Sequence, residues 1–227
     1  GADTITGGTH DDFIEGGAGA DIIDGGTHNG ILQGGDFATY ATSDDAVTIN
    51  LGTNSHSGGH AAGDSLINIE GVMGSRLGDT LTGRNGPNDR FVGNAGDDII
   101  SGLNGFDQAE YSDSPGRIAV NMSNAAGTVG LGAGPVVPGA GMAFDGFGDT
   151  DTLTSIEGVR GGGFDDVLIG SDRTDVTELF RGRGGADIID GRGGADEVSY
   201  ITNLAPGAVD FTNPVVPVSL NLDSVVV

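Results

Sequence analysis

Large apolar residues recur along this chain singly or in short clusters, each set between an acidic residue and a glycine-rich turn, with a nine-residue period. Residues 7–33 divide into "GGTHDDFIE", "GGAGADIID" and "GGTHNGILQ", and "GADTIT" at 1–6 closes an earlier frame. The eighth place carries Ile5, Ile14, Ile23 and Leu32, while the sixth carries Asp3, Asp12 and Asp21 before departing to Gly30. Apolar clusters this short, rich in β-branched residues and bounded by glycine, predict strands of about three residues rather than helix. Glycine at the first, second and fourth places permits the left-handed or tightly approaching backbone of a turn. One frame is thus a turn and a strand, two frames make one coil, and successive strands stack at about 4.8 Å.

The same frame returns twice. A second block reads "GSRLGDTLT" (74–82), a ten-residue variant "GRNGPNDRFV" (83–92), "GNAGDDIIS" (93–101) and "GLNGFDQAE" (102–110). A third reads "GGGFDDVLI" (161–169), a loosened "GSDRTDVTELFR" (170–181), "GRGGADIID" (182–190) and "GRGGADEVS" (191–199). Between them, "GDSLINIEGVMGSRLGDTLTG" (63–83) aligns without a gap to "TDTLTSIEGVRGGGFDDVLIG" (150–170). Tyr40, Tyr111 and Tyr200 follow the blocks, and the alternating runs "AVTINL", "IAVNM" and "VSLNL" come later, with the period of half-buried strands. The predicted fold is all-β: parallel β-roll or β-helix blocks of stacked repeats with interspersed strand-rich units. The expected divisions are a repeat block at 1–39, a connecting unit at 40–73, a block at 74–110, a connecting unit at 111–160, a block at 161–199 and a truncated connecting unit at 200–227. The Pro/Gly-rich stretch 126–148 reads as a loop. The chain opens inside a repeat and stops on "SVVV", and it is expected to be a piece of a longer polypeptide.

Composition changes this picture by asking what holds such a roll together. Forty-five glycines raise the entropic cost of folding, and there is no cysteine to supply a disulfide or a thiolate zinc site. Thirty-three acids face nine basic residues, all arginine, for a net charge of -24. Such a surface excludes nucleic acid, an anionic membrane repels it, and no apolar run is long enough to span a bilayer. The partner it favours is a cation. In a two-frame coil every second sixth-place carboxylate lies above another, Asp3 over Asp21 and Asp79 over the Asp98 tier, and the stack repels itself unless a hard cation lies between. Calcium, which takes six to eight oxygens at about 2.3–2.6 Å in loose geometry, suits carboxylates and turn carbonyls better than magnesium does.

The frame resembles G-G-x-G-x-D-x-U-x, with U a large apolar residue, the nonapeptide of the repeats-in-toxin (RTX) family of calcium-binding proteins, and "GGAGADIID" matches it at every fixed place. The resemblance implies calcium in the turns, held by sixth-place carboxylates and by main-chain carbonyls of the first four places. Carried over to this chain, the ligands are Gly7, Gly8, Thr9 and His10 with Asp12, and Gly16, Gly17, Ala18 and Gly19 with Asp21. In the second block they are Gly93, Asn94, Ala95 and Gly96 with Asp98, and Gly102 and Asn104 with Asp107. In the third block they are Gly182 and Gly184 with Asp187, and Gly191 and Gly193 with Asp196. Asp3, Asp79 and Asp166, and Gly25 and Thr27 of the frame broken at Gly30, complete the set. Gly30 is expected to leave the site beneath Asp12 short of one carboxylate, and the irregular frames set Asp89 and Glu178 apart from the regular ligands. The family also implies secretion from a bacterium by a type I system.

Other readings compete for the same residues. Disorder fits the composition but not the strict phase of acid and apolar places, although without calcium the chain is expected to be largely unfolded. Collagen fails for want of glycine at every third place, and an EF-hand fails because Arg160 stands where "DTD" at 149–151 needs its closing Glu. His10 and His28, both in "GGTH", read as residues tolerated in a strained turn ahead of a transition-metal pair, and His56 and His60 as exposed loop residues. Glu70 and Glu157, in equivalent places of "INIEGV" and "TSIEGV", read as structural or as extra calcium ligands rather than as general acids or bases. Arg181, Arg183 and Arg192 temper the acidity of the third block. No nucleophile elbow, zinc-protease motif or cysteine nucleophile is present, so the expected function is non-catalytic: a calcium-dependent module of a secreted or cell-surface bacterial protein, a surface layer, adhesin or filament, with self-association into an array. The alternative is the calcium-binding and secretion region of an extracellular enzyme whose catalytic domain lies elsewhere.

Overall fold

The computed structural model describes residues 1–27, 35–124 and 137–199, together with the backbone of the strand Ser219–Asn221. His28, Gly30, Leu32, Tyr200 and the first part of the 126–148 stretch lie outside the described residues. The chain divides into two compact units, Gly1–Ala109 and Glu110–Val227, the boundary falling within the strand Gln108–Glu110.

In the first unit the chain alternates between two sides of a coil. On one side Thr4–Gly8, Ile22–Gly26 and Ser65–Ile67 pair in parallel, with Ile5 opposite Ile23 and Ile23 opposite Leu66. Further along that course Thr48–Asn50, Thr80–Thr82 and Ile99–Ser101 pair in parallel, with Ser55–Ser57 added antiparallel at the edge. On the other side Phe13–Ile14, Phe37–Thr39, Gly71–Met73, Arg90–Val92 and Gln108–Glu110 form one parallel run. Strands of three residues suffice because each turns its central side chain to the interior, with Phe37 and Glu110 buried beside the central residue in their strands. Leu81 and Ala109 are such central residues at the eighth place, Phe91 is the central residue of the ten-residue variant, and Ile23 holds the eighth place in a longer strand; each is 0% exposed. Apolar burial at about 25 cal/mol per Å² makes them the continuous core of the coil. Phe37 stacks on Phe13 with ring centroids 4.9 Å apart, and Arg90 covers Phe37 from 4.9 Å.

The second unit repeats the plan. Gly158–Arg160, Thr177–Arg181 and Ala195–Val198 pair in parallel, and so do Ala119–Asn121, Val167–Ile169, Ile188–Asp190 and Ser219–Asn221. The expected loop 126–148 is not all loop: Met142–Phe144 is a strand, antiparallel to both Ala119–Asn121 and Thr150–Thr154. Its Pro/Gly content concealed a three-residue element whose central Ala143 is buried. Among the described residues the helical content is one 3-10 turn, Gly59–Ala61, and no helix is long and apolar enough to cross a membrane.

Candidate metal centre

The sixth-place acids stand immediately before their strands, except Asp196 inside Ala195–Val198, and their side chains turn along the stack. Asp3 donates its N–H to Asp21 Oδ1 at 2.7 Å, and Asp21 in turn to Asp64 Oδ1 at 2.8 Å. On the opposite side Asp12 N–H reaches Asp36 Oδ1 at 2.8 Å, Asp36 N–H reaches Glu70 Oε2 at 3.0 Å, and Asp89 N–H reaches Asp107 Oδ1 at 2.8 Å. Val47 N–H binds Asp79 Oδ1 and Asp79 N–H binds Asp98 Oδ1, both at 2.7 Å. In the second unit Ile118 N–H binds Asp166 Oδ1 at 3.0 Å, Asp166 N–H binds Asp187 Oδ1 at 3.1 Å, and Glu178 N–H binds Asp196. The acid therefore extends the strand ladder across the turn, and one backbone donor stands between successive carboxylates. That donor tempers the repulsion expected of a bare acid stack.

The ladder changes the sequence expectation at two places. Asp36, not residue 30, supplies the acceptor beneath Asp12, so that tier is not short of a carboxylate. Asp89 and Glu178, set apart for their irregular frames, occupy regular rungs and are 0% and 2% exposed. Asp64 and Glu70 are also rungs, although the segment that carries them lacks the glycine turn; Asp151 and Glu157 hold the corresponding sequence places in the second unit. Glu70 accepts the Asp36 N–H, and Glu157 is paired with Arg173 at 2.8 Å. Two tyrosines brace the connecting units from within: Tyr40 donates to Asp64 Oδ2 at 3.0 Å and Tyr111 to Asp151 Oδ2 at 2.9 Å. An acid placed one residue before a short apolar cluster was the signal for Asp36 and Asp64, whereas Asp151 lies inside the strand Thr150–Thr154.

The first-place glycine has a specific task. A Cβ on Gly16 would lie 2.5 Å from Asp21 Oδ2, on Gly93 2.0 Å from Asp98 Oδ2, and on Gly182 2.0 Å from Asp187 Oδ2. The carboxylate occupies the space that any other side chain would fill.

The second place divides the turns into two kinds. In one, its N–H closes on the acid of its own frame: Ser75 on Asp79 Oδ2 at 2.6 Å, Arg84 on Asp89 Oδ2 at 2.6 Å, Gly162 on Asp166 Oδ2 at 2.7 Å, and Ser171 on Glu178 Oε2 at 2.8 Å. Arg84 adds its guanidinium to Asp89 at 2.6 Å. In the other kind the second residue is left-handed, as at Gly17 (φ 78°), Asn94 (φ 73°), Leu103 (φ 72°), Arg183 (φ 69°) and Arg192 (φ 61°). There Asp21 Oδ2, like Asp12 Oδ2 beside Gly8, is buried without a hydrogen-bond partner. Asn, Leu and Arg accept that conformation only at a cost of about 1–2 kcal/mol each, so the open turn is held in place by something that rewards it.

Burial pushes the carboxyls of Asp79, Asp187, Glu178 and Asp196 above their ordinary values. Asp166 is pushed up to about 6, chiefly by burial, with the charge of Asp187 adding to the shift and the N–H groups of Ile118 and Gly162 opposing it. Among the described residues no site gathers three or more acidic or imidazole side chains. A cation held here takes one or two carboxylates and draws its remaining oxygens from the turn backbone.

The histidines fall outside this arrangement. His10 is exposed, shares a 3.1 Å contact with Thr9 Oγ1, and has no positive φ, so the strain read into its turn is not of the left-handed kind. His56 is not an exposed loop residue: it is 8% exposed in the strand Ser55–Ser57, its Nδ1 3.4 Å from Asn50 N and its Nε2 2.8 Å from Asn54 Oδ1. Arg183 donates to the Ser112 carbonyl at 3.1 Å.

A family profile, the RTX calcium-binding nonapeptide repeat, matches residues 1–36 and 73–109 with four copies. Those residues are RTX repeats. No curated protein matches the chain. The matched RTX stretches contain the regular frames of the first unit, including the Asp21 and Asp98 turns, and the RTX repeat is by its description calcium-binding. The donors fit that ion: oxygen alone, with buried carboxylate oxygens at Asp12 and Asp21 that the protein leaves without partners. The third block, 161–199, lies outside the matched RTX residues, yet its Asp166 and Asp187 rungs are built in the same way.

Proposed function

We propose that this chain is a non-catalytic, calcium-triggered structural module of a secreted or cell-surface bacterial protein, of the surface-layer, adhesin or filament kind. The observation that supports it is the carboxylate ladder with its open turns, where buried Oδ2 atoms at Asp12 and Asp21 have no protein donor. Asp12, Asp21, Asp98, Asp107, Asp187 and Asp196, with the carbonyls of their left-handed turns, are the residues that would hold the ions. Calcium supplies positive charge and oxygen coordination, and everything else is done by the chain. The N–H ladder orients each carboxylate, the first-place glycine admits it, and the eighth-place side chain keeps water from its inner face. A surface carrying a net charge of -24 opposes compaction when no cation is bound, so binding free energy becomes folding free energy. In a calcium-poor cytosol the chain stays open to a type I export channel, and outside the cell it sets. Once set, parallel strands at the edge of a roll offer unpaired backbone groups for self-association into an array.

The test is far-ultraviolet circular dichroism of the purified chain, first in chelator and then with calcium added to millimolar concentration. Coil in chelator and strand with calcium support the proposal, and a spectrum indifferent to calcium refutes it. Hydrolase activity on peptide, ester or polysaccharide substrates by the purified chain would overturn the non-catalytic reading separately.

A further inference from the structure

The hairpin between Met142–Phe144 and Thr150–Thr154 is closed by Asp145, Gly146, Phe147, Gly148 and Asp149. This loop belongs to no nonapeptide frame and lies outside the residues matched to the repeat. Asp145 is 0% exposed, and its Oδ1 accepts three backbone donors: Phe147 N–H at 2.9 Å, Asp149 N–H at 3.1 Å and Gly148 N–H at 3.2 Å. Its main-chain oxygen accepts from Ser114 Oγ at 2.6 Å. The second carboxylate oxygen, Oδ2, is buried and has no hydrogen-bond partner. Burial pushes the Asp145 carboxyl above its ordinary value and the nearby Asp149 charge adds to the shift, while the three N–H donors on one oxygen oppose it by favouring the ionised form. A buried anionic oxygen of this kind is costly unless a cation reaches it.

We propose that the 145–149 loop is a calcium site separate from the repeat turns, anchored by Asp145 Oδ2 and completed by the Asp149 carboxylate and main-chain oxygens of the loop. The side chains of the loop offer oxygen and no nitrogen or sulfur, which favours a hard divalent ion over a transition metal. The function is to lock a hairpin. Met142–Phe144 runs against the direction of the parallel strands on either part of the sheet, and an ion in its closing loop ties that strand to Thr150–Thr154. The site does not require the repeat turns to bind calcium.

The experiment is native mass spectrometry of the full chain at saturating calcium, with equilibrium dialysis against calcium for affinity. Asp145→Asn keeps an acceptor for the three N–H donors and removes the charge; it is expected to fold and to carry one ion fewer than the unsubstituted chain. Asp149→Asn, at a half-buried position, guards against misfolding of the first variant. It is expected to weaken the same ion by about tenfold or more, since loss of even an outer-shell partner costs a metal site about that much. A full complement of tightly bound ions in both variants overturns the proposal and makes Asp145 a protonated structural acid. Loss of one ion while the remaining ions and the calcium-induced strand signal persist supports it. A wild-type chain that binds calcium only here sustains this site and refutes the repeat-turn reading, whereas a chain that binds none refutes both.

Discussion

Acid should stabilise the calcium-free protein and destabilise the calcium-loaded one. Asp166 carries the magnitude: it is 0% exposed, and burial raises its carboxyl from 3.8 to about 6. Between those two values the folded chain holds a proton that the unfolded chain has released, so the free energy of unfolding falls as pH rises through this window. Above it, one such group costs the ion-free fold about 3 kcal/mol, roughly a hundredfold in the folded-to-unfolded ratio. Asp79, Asp187, Asp196 and Glu178 shift in the same direction, and a falling net negative charge adds to the effect. Acidifying a calcium-free solution from about pH 7.5 to about pH 4.5 is therefore expected to increase strand content, read by far-ultraviolet circular dichroism. With calcium present, protons compete with the ion for the same oxygens, and the calcium concentration at the folding midpoint rises as pH falls. Strand content that stays flat or declines on acidifying the calcium-free chain would refute the burial argument, whatever calcium does.

Two substitutions test the turn directly. Gly16→Ala places a Cβ 2.5 Å from Asp21 Oδ2 and is expected to cost about 1–3 kcal/mol, seen as a higher calcium midpoint for folding; an unchanged midpoint would mean that the first-place glycine is not required by the carboxylate. Asp21→Asn is expected to weaken calcium-induced folding more than Asp79→Asn, because Ser75 already donates its N–H and its Oγ to Asp79 while Asp21 Oδ2 has no donor; paired calcium titrations by calorimetry would show equal losses if the open and closed turns were equivalent.

The regular rungs were legible because the nine-residue phase of acid and apolar places is a direct imprint of the coil. Asp12, Asp21, Asp98, Asp187 and their buried eighth-place partners follow from counting alone. The connecting segments were harder. "DSLINIEGVM" contributes Asp64 and Glu70 to the same ladder, but its acids stand closer together than a full frame allows, with left-handed Asn68 (φ 51°) doing the work of a glycine turn. The register there is set by the strand ladder and not by the turn sequence, so the nine-residue phase does not reach it. Asp36 was hidden for the opposite reason: an insertion follows Gly26 and postpones the acid. The division into open and closed turns was not readable at all, because Gly162 and Gly17, the same residue type at the same place, take opposite kinds of turn according to the backbone around them.

The ladder also has a polarity. Each rung's N–H is received by an acid that comes later in the chain, as Asp3 is received by Asp21 and Asp21 by Asp64. A tier assembled from its downstream end finds its acceptor already standing, whereas one assembled from the upstream end must wait for it. A polypeptide emerging tail first from a narrow exit would therefore zip up as it leaves, each new layer seated on a finished one.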